Sequence, residues 1–153
     1  MTFVDFYHVG IVVADLDAAA DELGRLLGLD FARPRTESLQ LRTEEGPADC
    51  RFRFTYSRSP VRGPAIELIE APPGSPWWPG DGPAVPGVHH LGFWAQDFAE
   101  RVGALEAAGA PVEVTLDGGG EPRTFTYHRT SHGPRIELVD GARQAELSWW
   151  AAP

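Results

Sequence analysis

The chain has 153 residues, 42% apolar and 23% charged, the size and composition of one globular domain with a core of its own. Its formal net charge of −9, from 22 acidic and 13 basic residues, excludes nucleic acid and anionic membrane as main partners, since both demand a cationic face. All basic residues are arginine, which excludes Schiff-base chemistry on a lysine, and the single Cys50 excludes an intrachain disulfide or a cysteine zinc site.

No run approaches the ~18 apolar residues of a membrane span. The opening segment Met1–His8 lacks the basic and apolar stretches of a signal peptide, so the expectation is a soluble, cytoplasmic protein. Cys50 reads as a small buried residue of a strand.

In chain order, Phe6 to Val13 alternates as a strand, with Tyr7, Val9, Ile11 and Val13 on one face and His8 and Gly10 on the other. A helix follows over Ala18–Leu27, capped by Asp15 or Asp17 and stopped by Gly28. A strand candidate at residues 50–57 runs through a Gly-Pro turn into the closing strand IELIE. Residues 72–86, dominated by Pro and Gly, read as a linker in which Trp77 and Trp78 either fold back onto the sheet or line a mouth. The sequence then repeats itself. HVGIVVAD at residues 8–15 returns 82 positions later as HLGFWAQD at residues 90–97. FTY at 54–56 returns at 125–127, and GPAIELIE at 63–70 returns as GPRIELVD at 133–140. The organisation expected is a first βαβββ module over residues 3–71, a linker over 72–86, a second module over 87–141 and a tail over 142–153. The fold class is α+β.

Strand parity selects the chemistry. If the apolar residues of the opening and closing strands face the helices, then His8, Glu67, His90 and Glu137 all face the opposite side of the two sheets. Sheets joined edge to edge would bring the four together. A lone histidine or glutamate on a strand is ordinary; four at symmetric positions of a repeat form a donor set for Zn, Ni, Co, Mn or Fe(II).

The stretches HVGIVVADLDAAADELGRLLGLDF and HHLGFWAQDFAERVGALEAAGAPVE, with the IELIE and IELVD strands, resemble the vicinal oxygen chelate superfamily, the group of glyoxalase I and methylmalonyl-CoA epimerase. The resemblance implies a curved, cup-shaped mixed sheet, a divalent metal held by His8, Glu67, His90 and Glu137, and His89 as a neighbour of the site and not a ligand. It implies an isomerase, epimerase or lyase acting on a small carbonyl-containing substrate through a metal-stabilised enolate, with a carboxylate at the metal edge moving the proton. A homodimer is a further expectation by resemblance. The alternatives are an Fe(II) extradiol-type dioxygenase and a non-catalytic small-molecule binding or resistance protein of the same fold. Between the carboxylates, Glu137 is expected to be the base over Glu67, because Arg135 and His128 are expected beside it; the resemblance leans the same way.

Weaker candidates complete the reading. Trp94 shares the parity of His90 and is a pocket candidate. His128 joins it if Phe125 and Tyr127 face the helix, and Arg53, with Arg51, would hold an anionic substrate group if it faces the cup. Glu37, Glu44 and Glu45 are candidates for an additional acidic group, His132 reads as exposed, and Trp149-Trp150 would dock on the neighbouring module or on a partner chain.

Overall fold

Asp15 starts the first helix by accepting the amide of Ala18 at 2.9 Å, and Gly28, at φ 68°, ends it in the left-handed conformation that favours glycine. The computed structural model describes residues 5–58, 63–79, 82, 86–118 and 124–151. Its elements are β1 (Phe6–Val12), α1 (Leu16–Leu27), β2 (Arg35–Thr43), β3 (Gly46–Tyr56), β4 (Ala65–Glu70), β5 (Gly87–Ala95), α2 (Phe98–Ala107), β6 (Val112–Leu116), β7 (Phe125–His128) and β8 (Arg135–Asp140). A tail of short helical turns follows, with α3 at Gln144–Leu147 and a last turn at Trp149–Ala151. The order βαβββ thus occurs twice.

The sheet is mixed, and the expected cup is a closed barrel in the order β1-β4-β3-β2-β6-β7-β8-β5. Within each half the opening and closing strands run parallel, β1 with β4 and β5 with β8. Two antiparallel seams join the halves: β1 pairs with β5, and the far edges meet where Leu41, Arg42 and Thr43 of β2 pair with Leu116, Thr115 and Val114 of β6. Among the described residues no edge strand is left over.

Three apolar compartments follow. Leu16 and Leu23 of α1 pack on Ile11, Ile66 and Leu68, and Val102 and Leu105 of α2 pack on Phe93, Ile136 and Leu138. The third and largest fills the barrel and is strongly aromatic, with Tyr7, Phe52, Tyr56, Trp77, Trp94, Phe125 and Tyr127. It corrects three expected orientations. Phe125 and Tyr127 face inward, so His128 faces α2, donating from Nδ1 to the Ala110 carbonyl at 2.7 Å and accepting at Nε2 from the Thr126 hydroxyl at 2.9 Å. Phe52 and Phe54 line the interior, so Arg53 lies outside and bonds Asp17 of α1 at 3.1 Å. Tyr7 turns inward despite its parity, because β1 carries one extra residue between Phe6 and His8 relative to β5. The common physical reason is closure: the inside of an eight-stranded barrel is itself a core and takes the large side chains.

Leu68 and Leu138 hold equivalent positions in the two halves, and both are fully buried beneath their helices. Leu68→Ala and Leu138→Ala are each expected to cost about 2–5 kcal/mol, by similar amounts, in urea unfolding.

Candidate metal and substrate site

The short motif His-x-Gly has a reason that appears only at the β1–β5 seam. Gly10 lies opposite His90, and Gly92 lies opposite His8. A Cβ on Gly10 would fall 2.1 Å from Cε1 of His90, and one on Gly92 would fall 2.3 Å from Cε1 of His8. Each imidazole therefore lies over the glycine of the other half. Glu67 is the partner of Gly10 across β4, and Glu137 is the partner of Gly92 across β8. Two three-residue rows result, Glu67-Gly10-His90 and Glu137-Gly92-His8, each with an empty centre over which the outer side chains meet.

They do meet. Nε2 of His8 is 2.8 Å from Nε2 of His90, 3.2 Å from Oε2 of Glu67 and 2.9 Å from Oε2 of Glu137. Nε2 of His90 is 3.2 Å from Oε2 of Glu67 and 3.4 Å from Oε2 of Glu137. All four residues are buried. Donors about 2.0–2.2 Å from a shared cation stand roughly 2.8–3.6 Å apart at right or tetrahedral angles, and the spacings among His8, His90 and Glu137 are of that size. Oε2 of Glu137 is buried, with the two imidazoles as its near polar neighbours. His8, His90 and Glu137 form a group able to hold a metal ion, and Glu67 brings a fourth donor to it.

Charge explains the titration of the group. Burial disfavours an imidazolium at His8, but the carboxylates of Glu67 and Glu137 outweigh it and push His8 up to about 9. Burial alone would raise Glu67; His8 and His90 hold it instead well below the usual carboxylate range. Burial, with His90 and Arg135 adding to it, pushes His89 down to about 3, which keeps that imidazole neutral.

The cluster opens on a cavity of about 340 Å³ inside the barrel. Glu67 and Glu137 lie in its wall with Tyr7, Tyr56, Phe52, Phe54, Trp77, Phe125 and Tyr127, and Arg35, Glu37, Arg143, Glu146 and Trp149 also line it. The Tyr127 hydroxyl accepts from Nε1 of Trp77 at 3.0 Å and donates to Glu137. Tyr56 donates to the oxygen of Tyr7, which also accepts from Nε1 of Trp150 at 3.2 Å. Arg35 stacks over Trp149, 3.8 Å from the ring centroid.

Of the candidates read from sequence, the structure brings His8, Glu67, His90 and Glu137 together and keeps three others out of the cavity. Trp94 is buried against Tyr7, ring centroids 4.1 Å apart, and fills the core; His128 and Arg53 lie on the outer surface of the sheet. The neighbours expected to favour Glu137 are elsewhere too, since Arg135 bonds Glu113 at 2.6 Å. Glu37 lines the cavity, whereas Glu44 pairs with Arg129 at the surface and Glu45 is exposed in a turn. His132 is exposed and Cys50 is buried in the barrel core. Trp77 folds into the barrel, Trp78 bonds the Gly82 carbonyl at 2.9 Å, and Trp149 and Trp150 dock on the aromatic wall of their own chain. Sequence reasoning missed the phenols, although the repeated FTY held the signal: Tyr56 and Tyr127 are the cross-strand partners of Glu67 and Glu137.

Two outcomes are expected. Gly10→Ala and Gly92→Ala leave no room for the opposing imidazole; each should abolish stoichiometric retention of zinc after dialysis, read by elemental analysis, with the far-UV spectrum of the fold kept. In the metal-free protein, the raised His8 contributes stability that is fully present below its unfolded value of about 6.5 and is lost as pH rises through about 9. The melting temperature after chelation should therefore fall from pH 6.5 to 9, and His8→Gln should flatten that slope.

A family model described as the Glyoxalase/Bleomycin resistance protein/Dioxygenase superfamily matches residues 7–127. No sequence relative among functionally curated proteins matches. Among solved structures, the chain is similar to methylmalonyl-CoA epimerase from Mycobacterium tuberculosis, with 19% identity, a TM-score of 0.61, and 94% of this chain and 91% of that one covered. It is also similar to a Streptomyces coelicolor methylmalonyl-CoA epimerase variant in complex with 2-nitronate-propionyl-CoA, with 21% identity, a TM-score of 0.56, and coverage of 92% and 99%. A variant of 4-hydroxymandelate synthase from Streptomyces coelicolor aligns at 20% identity and a TM-score of 0.56 over 92% of this chain and 39% of that one. At these identities the structural likeness speaks for the fold, and together with the family match it leads to one conclusion: the chain belongs to the glyoxalase/bleomycin resistance protein/dioxygenase superfamily.

Proposed function

We propose that the protein is a divalent-metal-dependent isomerase, epimerase or lyase of the glyoxalase type that acts on a small carbonyl-containing substrate. The observation that carries this reading is a cluster of four buried donors, two from each half, beside an aromatic cavity: His8, His90 and Glu137 lie close enough to share one ion, and Glu67 is 3.2 Å from both imidazoles. His8, His90, Glu67 and Glu137 would hold the ion. When bound, a divalent ion supplies Lewis-acid polarisation of a carbonyl and so acidifies the neighbouring carbon.

The chain's own residues supply the rest. The cavity walls exclude water and bind the apolar body of a substrate. Glu137 takes and returns the proton. Its Oε2 lies 2.9 Å from Nε2 of His8, a group that can exchange a proton with it, and the Tyr127 hydroxyl bonds the same carboxylate. Glu67, which the two imidazoles hold firmly anionic, is suited to remain a ligand throughout. Glu37, further along the cavity, offers a second carboxylate facing the substrate space.

The test is exchange of substrate α-protons with deuterium oxide, followed by mass spectrometry over a panel of 2-oxo acids, hydroxyketones and acyl thioesters. Exchange should require a divalent metal and stop on chelation. Glu137→Gln should lower the rate by about 10²–10⁴-fold while metal content is retained. Loss of exchange in Glu67→Gln but not in Glu137→Gln would reverse the assignment, and oxygen uptake with catechols in place of exchange would overturn the reaction class.

A further inference from the structure

The β1–β5 seam contains two irregularities in register. One extra residue sits on β1 between Phe6 and His8, and one on β5 between Val88 and His90. The extra residues are Tyr7 and His89, each directly before a cluster histidine and at equivalent positions of the repeat. A bulge re-aims the side chain it displaces, and both residues are buried. Their chemistry differs. The Tyr7 hydroxyl bonds Trp150, and Nδ1 of His8 is left buried with no partner among the described residues. His89 instead places Nδ1 at 2.9 Å from Nδ1 of His90 and Nε2 at 3.1 Å from the carbonyl oxygen of Pro76.

Those two contacts determine where the protons are. A carbonyl oxygen only accepts, so Nε2 of His89 carries hydrogen. A neutral imidazole has one N–H, so Nδ1 of His89 is bare and accepts from His90. His90 therefore carries a proton on Nδ1, and Nε2 is the ring atom it turns toward the cluster, 3.2 Å from Oε2 of Glu67. We propose that His89, pinned by the Pro76 carbonyl, is a positioning residue that holds His90 in the Nδ1–H form and so presents a lone pair at Nε2 to a divalent cation. The cation rests on the function proposed above; the proton arrangement does not.

A second contact extends the role of the same turn. Trp77, next to Pro76, donates to Tyr127, which donates to Glu137. The turn is itself closed, the Gly74 amide donating to the Trp78 carbonyl at 2.7 Å and the Trp78 amide to the Ser75 hydroxyl at 3.2 Å. The segment between the halves thus braces both donors of the second half. Outer partners of this kind fix ring orientation and raise ligand basicity, and their loss costs about 10–100-fold in metal affinity.

The test has two arms. Long-range proton–nitrogen correlation on ¹⁵N-labelled, metal-free protein at pH 7 reads the histidine tautomers directly. His90 should show a protonated Nδ1 and His89 an unprotonated Nδ1; a bare Nδ1 on His90 would overturn the proposal whether or not the protein binds metal. Cobalt(II) titration by visible absorption then compares the wild type with His89→Phe and His89→Asn. His89→Phe should bind about 10–100-fold more weakly. His89→Asn, whose Oδ1 can still accept from Nδ1 of His90, should stay within a few-fold of the wild type. Equal affinity in His89→Phe, or equal loss in His89→Asn, would overturn the proposal. If His89→Phe does not fold, the tautomer measurement and His89→Asn decide. A wild type that binds no cobalt would defeat the functional reading and leave the tautomer result to judge His89.

Discussion

Two carboxylates buried against one pair of imidazoles in an aromatic barrel are the constraint around which this molecule is arranged. An isolated buried anion is too costly to keep, so each must be met by a positive charge or by donors held in place. Here they face two imidazoles and, through Tyr127, one phenol. A proton on His8 offsets one of the two charges; a divalent ion offsets both. The surrounding structure serves this balance. Glycines at the centre of each row let the four side chains meet, and the parallel β1–β4 and β5–β8 pairs set each glutamate beside the strand that carries a histidine.

The two halves share a plan and differ in execution. Each contributes one histidine, one glutamate and one tyrosine of an FTY triplet to the same wall. Among the described residues, the second half alone has its donors tied to the connecting turn, while the phenols of the first half bond each other and the tail. The symmetric repeat thus produces an asymmetric site. The tail belongs to the site as well. Trp149 lies edge-on to Phe54 and Tyr56, and Trp150 stacks on Tyr7 and Tyr56, so the last described residues complete the aromatic wall.

The repeat made the four cluster residues legible, because alternation on β1, β4, β5 and β8 is unambiguous once one face is known to carry a helix. The same rule misled on β3 and β7. Phe52, Phe54, Phe125 and Tyr127 are apolar enough for either face, and a period of two cannot say which face is inside when both are covered. Trp94 has the parity of a pocket residue, yet Tyr7 stands between it and the cavity, placed there by an extra residue that no alternation pattern reveals. His89 escaped for the same reason. By parity it belongs on the outer surface, and the bulge that brings it in depends on the register between strands more than seventy residues apart in the chain.

That distance in sequence also bears on how the molecule assembles. The contact between His8 and His90 closes a loop of 82 residues, and the β2–β6 seam joins strands nearly as remote. Loop entropy must be met before such pairings return any energy, so formation of the barrel is expected to be slow compared with that of either helix. Until the seams close, four strands present bare edges to the solvent, and edges of that kind invite pairing with another chain. The two seams that build the site are therefore also what keeps the finished chain from aggregating, and a variant that loosens them risks losing solubility before it loses chemistry.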